Sequence, residues 1–291
     1  MSEDMKGRVC VVTGVTQGIG KVTALELARR GADMILVARN REKGEAVVAE
    51  IAEKAGRKPE LRIADLSLLA EVRRLADELR RDHDRLHVLV NNAGAMHTSR
   101  KLTSEGLEMT FAVNHLSYFL LARELLPLLE AGGTPERKAR IVNVASRAHR
   151  NARLDLDDLQ AEKGYGHPLQ QYANSKLMNI LFTYELARRL EGTNVTANCL
   201  HPGVVATGFG HNDRGLLDWA IKIASPFFLS AEKGAETSIY LAASPEVEGV
   251  SGKYFDKKKP ARSRRASYDE ATQKRLWQIT EELIDARRAA A

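Results

Sequence analysis

A glycine-rich turn near the N-terminus restricts the fold of this 291-residue chain more than any other feature. Residues 13–20 read Thr-Gly-Val-Thr-Gln-Gly-Ile-Gly, directly after the apolar run Val9–Val12 and before a helical pattern of apolar residues. Glycines let a backbone approach a phosphate closely, and the amides at a helix N-terminus bind such an anion. The spacing Gly-x-x-x-Gly-x-Gly differs from the common Gly-x-Gly-x-x-Gly fingerprint. We predict a strand, a dinucleotide-binding turn and a helix, with an ordinary tight turn as the alternative.

A basic residue follows the next predicted strand, Met34–Val37. NAD-binding units commonly place an acidic residue here, about twenty residues after the glycine turn, to bind the ribose hydroxyls. Arg39 instead carries a cation that can pair with a 2′-phosphate, so we predict NADP(H) as the cofactor. Lys21 is a second candidate cation. The alternative is that Arg39 is an ordinary surface arginine.

Tyr172 and Lys176 are four residues apart, so they share one face if this segment is helical. A cation beside a phenol favours the phenolate, which predicts a lowered pKa for Tyr172 and a role as general acid and base. The same spacing also occurs on solvated helix faces. Two predicted strand ends add weight to the functional interpretation: Asn91–Gly94 follows Val88–Val90, and Ser146 follows Ile141–Val144. Ligands of an open parallel sheet bind at the carboxyl ends of its strands.

Strand and helix patterns alternate along the whole chain. Strands are predicted to begin near Arg8, Asp33, Leu61, Leu86, Ile141, Val195 and Lys253. Helices are predicted from Ile19, Arg41, Leu68 and Ala231, with one long helix ending near Leu129, one carrying Tyr172 and one through Leu276 to Ile284. We predict an α/β fold, a single-domain Rossmann-type doubly wound parallel sheet with helices on both faces, in residues 1–255. Residues 256–291 are predicted to be a basic linker and a C-terminal helix.

In their order, these motifs resemble those of the short-chain dehydrogenase/reductase superfamily in its single-domain form. The matching positions are 13–20, Asp65–Leu66, 91–94, Asn114, Ser146, Tyr172 with Lys176, and His201–Gly203. Within the superfamily, segments 111–116, 186–190 and 251–255 are most similar to the retinol dehydrogenase group.

The resemblance implies a catalytic tetrad of Asn114, Ser146, Tyr172 and Lys176. Tyr172 would exchange a proton with the substrate oxygen, Ser146 would orient that oxygen, and Asn114 would hold a water that relays protons from Lys176. Lys176 would also lower the tyrosine pKa and bind the nicotinamide ribose. The turn and the resemblance together give these cofactor-binding residues: Gly14, Thr16, Gln17, Gly18, Ile19, Gly20, Arg39, Asp65, Leu66, Asn92, Ala93, Gly94, Tyr172, Lys176, Pro202, Gly203, Val205 and Thr207.

Two segments are expected to border the substrate. Residues 147–170 form an insertion near the active site, which contains a rival tyrosine, Tyr165, without a lysine four residues later. Residues 204–230 include a markedly apolar run, which we predict to be a substrate lid; core packing or a dimer surface is the alternative. A lid of this kind favours an apolar aldehyde or ketone as the substrate.

Charge and cysteine usage restrict the partners. The net charge is +6, and ten basic and six acidic residues of 256–291 supply most of it, so we predict no nucleic-acid binding. The tail is predicted to be a solvated linker to a C-terminal helix that packs on the body, with binding to an anionic surface or partner as the alternative. Cys10 and Cys199 fall in separate core strands and should be reduced. His97, His115, His149 and His201 lack metal-ligand spacing, so they are interpreted as structural or loop residues and no metal site is predicted.

No signal peptide or membrane span is apparent in the sequence, so a cytoplasmic protein is expected. Relatives commonly associate through the long helices after Lys101 and Gln171, so a homo-oligomer is expected. The predicted function is an NADP(H)-dependent oxidoreductase that interconverts an apolar aldehyde or ketone and its alcohol. The alternatives are a catalytically idle NADP-sensing or scaffold protein, and a sugar-nucleotide epimerase or dehydratase, which generally has a different glycine spacing and a longer C-terminal domain.

Overall fold

The computed structural model describes residues 3–203 and 229–289, which build one mixed sheet. Its strands are β1 (Val9–Thr13), β2 (Asp33–Ala38), β3 (Glu60–Ile63), β4 (Val88–Asn91), β5 (Ala139–Val144), β6 (Val195–His201), β7 (Tyr254–Asp256) and β8 (Lys259–Pro260). Their order across the sheet is β3-β2-β1-β4-β5-β6-β7-β8. Every neighbouring pair is parallel except β7 and β8.

Helices cover both faces of this sheet. They are α1 (Gly18–Arg29), α2 (Arg41–Ala55), α3 (Leu69–Asp82), α4 (Met109–Phe111), α5 (Ser117–Gly132), α6 (Pro168–Arg189), α7 (Ala231–Ala243) and α8 (Glu270–Ala289). Apolar side chains of α1, α2 and α7 form one buried cluster with the sheet, and those of α3, α5, α6 and α8 form the other. Successive residues of β1 point to opposite faces: Val11 joins the second cluster, whereas Cys10 and Val12 join the first. The prediction of a doubly wound α/β fold is confirmed.

The strand order reverses between β1 and β4, which are hydrogen-bonded neighbours. The connection after β1 leads through α1 to β2 on one side, whereas the chain after β4 continues to β5 on the other side. Loops diverge at such a point and leave a crevice beyond the carboxyl ends of the strands. The glycine turn after β1 and the Asn92–Gly94 segment after β4 therefore lie side by side.

Two local features differ from the predicted elements. The long helix that ends at Gly132 is interrupted by a π-helical turn, Ala112–Leu116, which contains Asn114. The basic stretch after β7 is not a plain linker, because Lys257 and Lys258 adopt positive φ angles of 51° and 63° and turn the chain into β8. An antiparallel pair joined by a two-residue turn needs such left-handed backbone, which local sequence without glycine or asparagine does not signal.

The C-terminal helix α8 packs across α5 and α6. Trp277 is 9% exposed, with ring centroids 4.6 Å from Phe119 and 5.8 Å from Phe182. Thr280 Oγ1 lies 3.1 Å from Nε2 of His115, the residue after Asn114. Residues of the C-terminal region thus complete the core cluster on this face of the sheet.

The two cysteines are free and buried, as predicted. Cys10 lies in β1 and Cys199 in β6, with β4 and β5 between them. Burial raises the pKa of each thiol to about 12, so both stay protonated and unreactive. No helix in the described part of the chain is long and apolar enough to cross a bilayer.

Candidate active site

The glycine turn and the loop after β4 are hydrogen-bonded to each other. Thr13 Oγ1 accepts bonds from the amides of Asn92 and Ala93, both at 3.0 Å. The Asn92 side-chain amide donates in return to the carbonyls of Thr13 and Gly14, at 2.8 and 3.2 Å. Thr13 and Asn92 therefore fix the two loops of the crevice relative to each other, a role for Thr13 that the sequence did not reveal.

Gly14 and Gly20 are needed where these loops meet. A Cβ on Gly14 would lie 2.7 Å from Ala93 Cα, and Gly14 also has a φ of +70°. A Cβ on Gly20 would lie 2.3 Å from Asn92 Nδ2 and 2.4 Å from the Gly14 carbonyl oxygen. The motif therefore permits close packing of backbone on backbone.

The N-terminus of α1 is suited to an anion. Gln17 occupies the N-cap position, is exposed, and makes no capping hydrogen bond with its side chain. Gly18, with φ +58°, opens the helix, and Ile19 is buried behind it. Uncapped amides at the positive end of a helix dipole bind phosphate groups. These observations fit the predicted pyrophosphate site at Gly14, Thr16, Gln17, Gly18, Ile19 and Gly20.

The predicted cations behave differently from each other. Arg39 follows β2, is exposed, and forms no ion pair with another residue in ranges 3–203 and 229–289. Lys21 is committed to an ion pair with Glu50 of α2, and this pair lowers the pKa of the Glu50 carboxyl. Whether Lys21 also supplies a charge for the cofactor stays a prediction. Its partner Glu50 lies on another helix, so local sequence did not signal the pair.

Asp65 and Leu66 follow β3 at the same edge of the sheet. One carboxylate oxygen of Asp65 accepts bonds from the backbone amide of Ser67 at 2.9 Å and from its hydroxyl at 2.7 Å. Leu66 is buried in the core. The carboxylate is thereby oriented by its own turn, and its other oxygen makes no hydrogen bond within the described residues.

Tyr172, Ser146 and Lys176 come together as predicted from the sequence. The Tyr172 hydroxyl is hydrogen-bonded to the Ser146 side chain. Lys176 Nζ lies 5.7 Å from the Tyr172 ring centroid and donates to the Val144 carbonyl at 2.9 Å. The helix α6 supplies Tyr172 and Lys176 from one face, and β5 delivers Ser146 just beyond its carboxyl end.

The predicted pKa shift of Tyr172 is wrong for this structure. Burial raises the pKa of Tyr172 above its usual value, and the hydrogen bond from Ser146 opposes this only in part. Burial also lowers the pKa of Lys176 to about 7, so this ammonium is only partly charged at neutral pH. Desolvation therefore outweighs the charge effect that sequence spacing alone suggests. Tyr172 is a neutral phenol at pH 7.

Asn114 is buried and hydrogen-bonded to the loop after β4 and to α6. Its amide nitrogen donates to the Ala95 carbonyl and to the Ser175 hydroxyl, both at 2.9 Å, and its oxygen accepts from the Ala95 amide at 2.7 Å. The predicted water would therefore need a remaining lone pair or a backbone carbonyl of the π-helical turn. Ser175, which also donates to the Tyr172 carbonyl at 2.7 Å, links Asn114 to the tyrosine.

A second tyrosine, Tyr118, completes the environment of Lys176. Its ring centroid lies 5.5 Å from Lys176 Nζ, and its hydroxyl donates to the Ala93 carbonyl at 2.8 Å. Burial raises the pKa of Tyr118 well above its usual value. Sequence analysis missed Tyr118 and Ser175. The i, i+4 spacing of Tyr118 from Asn114 was the available signal for the tyrosine.

The insertion is anchored to the chain before α4. Tyr165 donates to the His97 carbonyl at 3.1 Å and lies 3.5 Å from the buried Glu108 carboxylate. Gln171 on α6 also donates to Glu108, at 3.2 Å. Burial raises the pKa of the rival Tyr165 to about 12, and its hydroxyl serves as a tether for the insertion.

Two of the predicted cofactor-binding residues after β6 are described, Pro202 and Gly203, and Gly203 has a φ of +90°. A Cβ at Gly203 would lie 2.4 Å from a methyl carbon of Leu229. Val205, Thr207 and nearly all of the predicted lid at 204–230 lie outside the described residues.

Comparison with known proteins agrees with this geometry. The model of the family described as short chain dehydrogenase matches residues 8–215. The chain belongs to the short-chain dehydrogenase family. Within this family it falls in the retinol dehydrogenase-like group: it is 40% identical to retinol dehydrogenase 14 of Mus musculus, over 96% of this chain and 86% of that protein. It is also 40% identical to human polyprenol dehydrogenase, over 93% of this chain and 83% of that protein.

A solved structure has a similar fold. The Pseudomonas aeruginosa RhlG/NADP active-site complex superposes with a TM-score of 0.70 at 27% identity, covering 87% of this chain and 95% of that one. The predicted resemblance is thereby confirmed: this is a short-chain dehydrogenase with oxidoreductase relatives.

Proposed function

We propose that this short-chain dehydrogenase is an NADP(H)-dependent oxidoreductase that interconverts an apolar aldehyde or ketone and its alcohol. The hydrogen-bonded pair of Tyr172 and Ser146 beside the buried Lys176 carries the proposal. Asn114 and Ser175 brace this group from behind. A proton donor, a polar orienting hydroxyl and a titratable amine thus occupy one end of the crevice.

Tyr172 acts as the general acid in carbonyl reduction. Because burial raises its pKa, the phenol holds its proton at neutral pH, which is the form that a donor to a carbonyl oxygen requires. Ser146 hydrogen-bonds the same oxygen and orients it toward Tyr172. Lys176, with a pKa of about 7, exchanges protons with solvent close to neutral pH and can return a proton to the phenolate. In alcohol oxidation each proton transfer is reversed.

The residues of the crevice fit a dinucleotide. Gly14 and Gly20 let the glycine turn pack closely on the loop after β4, and the uncapped start of α1 beside them suits a pyrophosphate. Asp65 and the Asn92–Gly94 segment would hold the adenosine part, and Lys176 the nicotinamide ribose. When bound, the nicotinamide supplies or accepts the hydride. The protein contributes position, water exclusion and the proton.

The apolar substrate class is supported by the relatives, one named for retinol and one for polyprenol. A panel of aliphatic, aromatic and isoprenoid aldehydes, ketones and quinones tests the proposal, with NADPH consumption followed by absorbance. We expect turnover with isoprenoid or other long apolar carbonyls, and less with short polar ones. Tight NADPH binding without turnover of any carbonyl or alcohol would favour an NADP-sensing protein instead.

Arg39 should determine the choice between NADP(H) and NAD(H). A charge-assisted hydrogen bond to a 2′-phosphate contributes about 1.5–3 kcal/mol, which is roughly a 10- to 100-fold change in affinity. We therefore expect Arg39→Ala to raise the Kd for NADPH by about 10- to 100-fold and to leave the Kd for NADH nearly unchanged, as measured by fluorescence titration. Lys54→Ala, at the far end of α2, removes the same charge and is the control. Equal NADH and NADPH affinity in the unaltered protein would overturn the assignment.

The expected homo-oligomer and cytoplasmic location remain predictions. In this chain the face of α5 and α6 around Phe119 and Phe182 is covered by Trp277 of α8. We infer that subunits associate through a surface other than this part of the long helices.

A further inference from the structure

The peptide unit between Ser146 and Arg147 is held on both sides by histidine side chains. His149 Nδ1 lies 2.6 Å from the Ser146 carbonyl oxygen, and the His149 backbone amide also donates to it at 3.2 Å. On the other side of the peptide, the Arg147 amide donates to His201 Nδ1 at 3.1 Å. His149 comes from the short 3₁₀ helix after β5, whereas His201 is the last residue of β6.

The partners fix the proton on each ring. A carbonyl only accepts, so His149 Nδ1 carries the proton, and Nε2 is free to accept the Arg264 amide at 3.2 Å. His201 accepts through Nδ1, so its proton is on Nε2. Burial lowers the pKa of both imidazoles, that of His201 to about 4. Both rings are therefore neutral at pH 7 and keep these donor and acceptor roles.

Ser146 needs such support because the sheet ends before it. The last backbone bond from this strand to β6 runs from the Ala145 amide to the Leu200 carbonyl, at 2.8 Å. Beyond this point the serine hydroxyl, which bonds to Tyr172, accepts the Ala148 amide at 3.2 Å, and the Ser146–Arg147 peptide begins the 3₁₀ helix that presents this amide. Rotation of that peptide would move the Ala148 amide and so release the hydroxyl from its place beside the phenol.

The C-terminal segment in turn fixes His149. The ring is fully buried and packs edge-on to Tyr254, with centroids 5.1 Å apart. Arg264 precedes the short helix Arg265–Tyr268, and the neighbouring Ser263 hydroxyl is hydrogen-bonded to Tyr184 of α6 at 2.8 Å. The amide that reaches His149 therefore belongs to a segment tied to the helix that carries Tyr172.

We propose that His149 and His201 are positioning residues for Ser146, holding its peptide in the orientation that directs the hydroxyl to Tyr172, and that the C-terminal segment fixes His149 through the Arg264 amide. The proposal rests on the proposed function, because the orientation of Ser146 matters through the reaction. Sequence analysis had interpreted both histidines as structural or loop residues.

Asparagine and glutamine variants separate the two ring nitrogens of each histidine. An asparagine amide occupies the place of Nδ1, and a glutamine amide the place of Nε2. We expect His149→Asn to keep the bond to Ser146 but to lower kcat by about threefold to tenfold, because it loses the partner of the Arg264 amide. We expect His149→Gln to lose the bond to Ser146 and to lower kcat by about 10- to 100-fold, as misplacement of a reacting group does. Likewise, His201→Asn should keep the bond from the Arg147 amide and most of kcat, whereas His201→Gln should lose both. The Kd for NADPH should be unchanged in all four variants.

Two variants of Arg264 test the link between His149 and the C-terminal segment. Arg264 has a φ of −60°, which proline can adopt, and Arg264→Pro replaces the amide donor by a ring carbon that presses on His149 Nε2. Arg264→Ala removes the side chain but keeps the amide. We expect Arg264→Pro to lower kcat by about threefold to tenfold more than Arg264→Ala does, since the His149 ring loses one of its two fixed partners.

A readout without turnover keeps this proposal distinct from the proposed function. Tyrosine labelled with ¹³C at Cζ, with the Tyr172 resonance assigned by Tyr172→Phe, reports the Ser146 bond in the resting protein. The Tyr172 resonance should move in His149→Gln and stay in place in His149→Asn. If no carbonyl is turned over but the resonance moves in this pattern, only the proposed function fails. Equal kcat and equal Tyr172 resonances in the Asn and Gln variants of both histidines would overturn the positioning role. If a His149 variant does not fold, the comparison of His201→Asn with His201→Gln tests the same role.

Discussion

Replacing Tyr172 by phenylalanine is expected to lower kcat for carbonyl reduction by about 10²- to 10⁴-fold, the usual contribution of a positioned general acid. The variant removes one hydroxyl from a ring that remains packed against α6 and the core, so NADPH affinity should stay within about threefold of the unaltered protein. Burial keeps the pKa of Tyr172 raised, so the lost group is a protonated donor throughout the neutral range. The change in kcat and the change in NADPH affinity are measured separately, by steady-state and stopped-flow NADPH absorbance.

Tyr165→Phe is the matched control for this experiment. Tyr165 is also a half-buried tyrosine with a raised pKa, but its hydroxyl donates to the His97 carbonyl and does not contact Lys176. Its loss should cost stability and leave kcat within about tenfold, because only a tether of the insertion is removed. Activity of Tyr172→Phe within tenfold of the unaltered protein, or an equal loss in both variants, would contradict the assignment of Tyr172 as the acid.

The sequence predicted the fold well because its signals are local. The apolar runs of the strands, the glycine turn and the helix that carries Tyr172 each depend on neighbours a few residues away. The order β3-β2-β1-β4 then follows from the rules for parallel crossovers, and with it the crevice beside Gly14 and Asn92. Ser146 could be placed at this crevice because it follows a strand end. Tyr172 and Lys176 lie on α6 and were paired by their spacing, whereas Asn114, in the π-helical turn, was assigned by the family resemblance.

What the sequence did not reveal depends on contacts between distant segments. Gly20 does not need a positive φ; it is required by the Gly14 carbonyl and the Asn92 side chain, which arrives from another loop. The ion pair of Lys21 with Glu50 and the raised pKa of Tyr172 likewise arise from tertiary packing and burial. Burial changes the pKa values of Tyr172 and Lys176 more than their closeness to each other does.

Trp277→Ala should produce the largest loss of stability among the changes considered. The indole packs against Phe119 and Phe182, and the Arg189 guanidinium carbon lies 4.1 Å from its ring centroid. Truncation of a buried aromatic side chain costs about 3–5 kcal/mol, because the apolar contacts are lost and a cavity remains. For a domain of this size, we expect the melting temperature to fall by roughly 5–15 °C. Urea denaturation followed by circular dichroism gives the free energy of unfolding.

Two control variants separate the causes of that loss. Trp277→Phe keeps most of the apolar area and should cost about 1–2 kcal/mol, whereas Arg189→Ala removes only the cation over the ring and should cost about 0.5–1 kcal/mol. If Trp277→Ala unfolds with the same midpoint as the unaltered protein, α8 is not part of the cooperative core. In that case Thr280 of α8 would not hold His115 in place beside Asn114. A large loss of stability in Trp277→Ala, with the smaller losses expected for the two controls, would show that the C-terminal helix is part of the cooperative core.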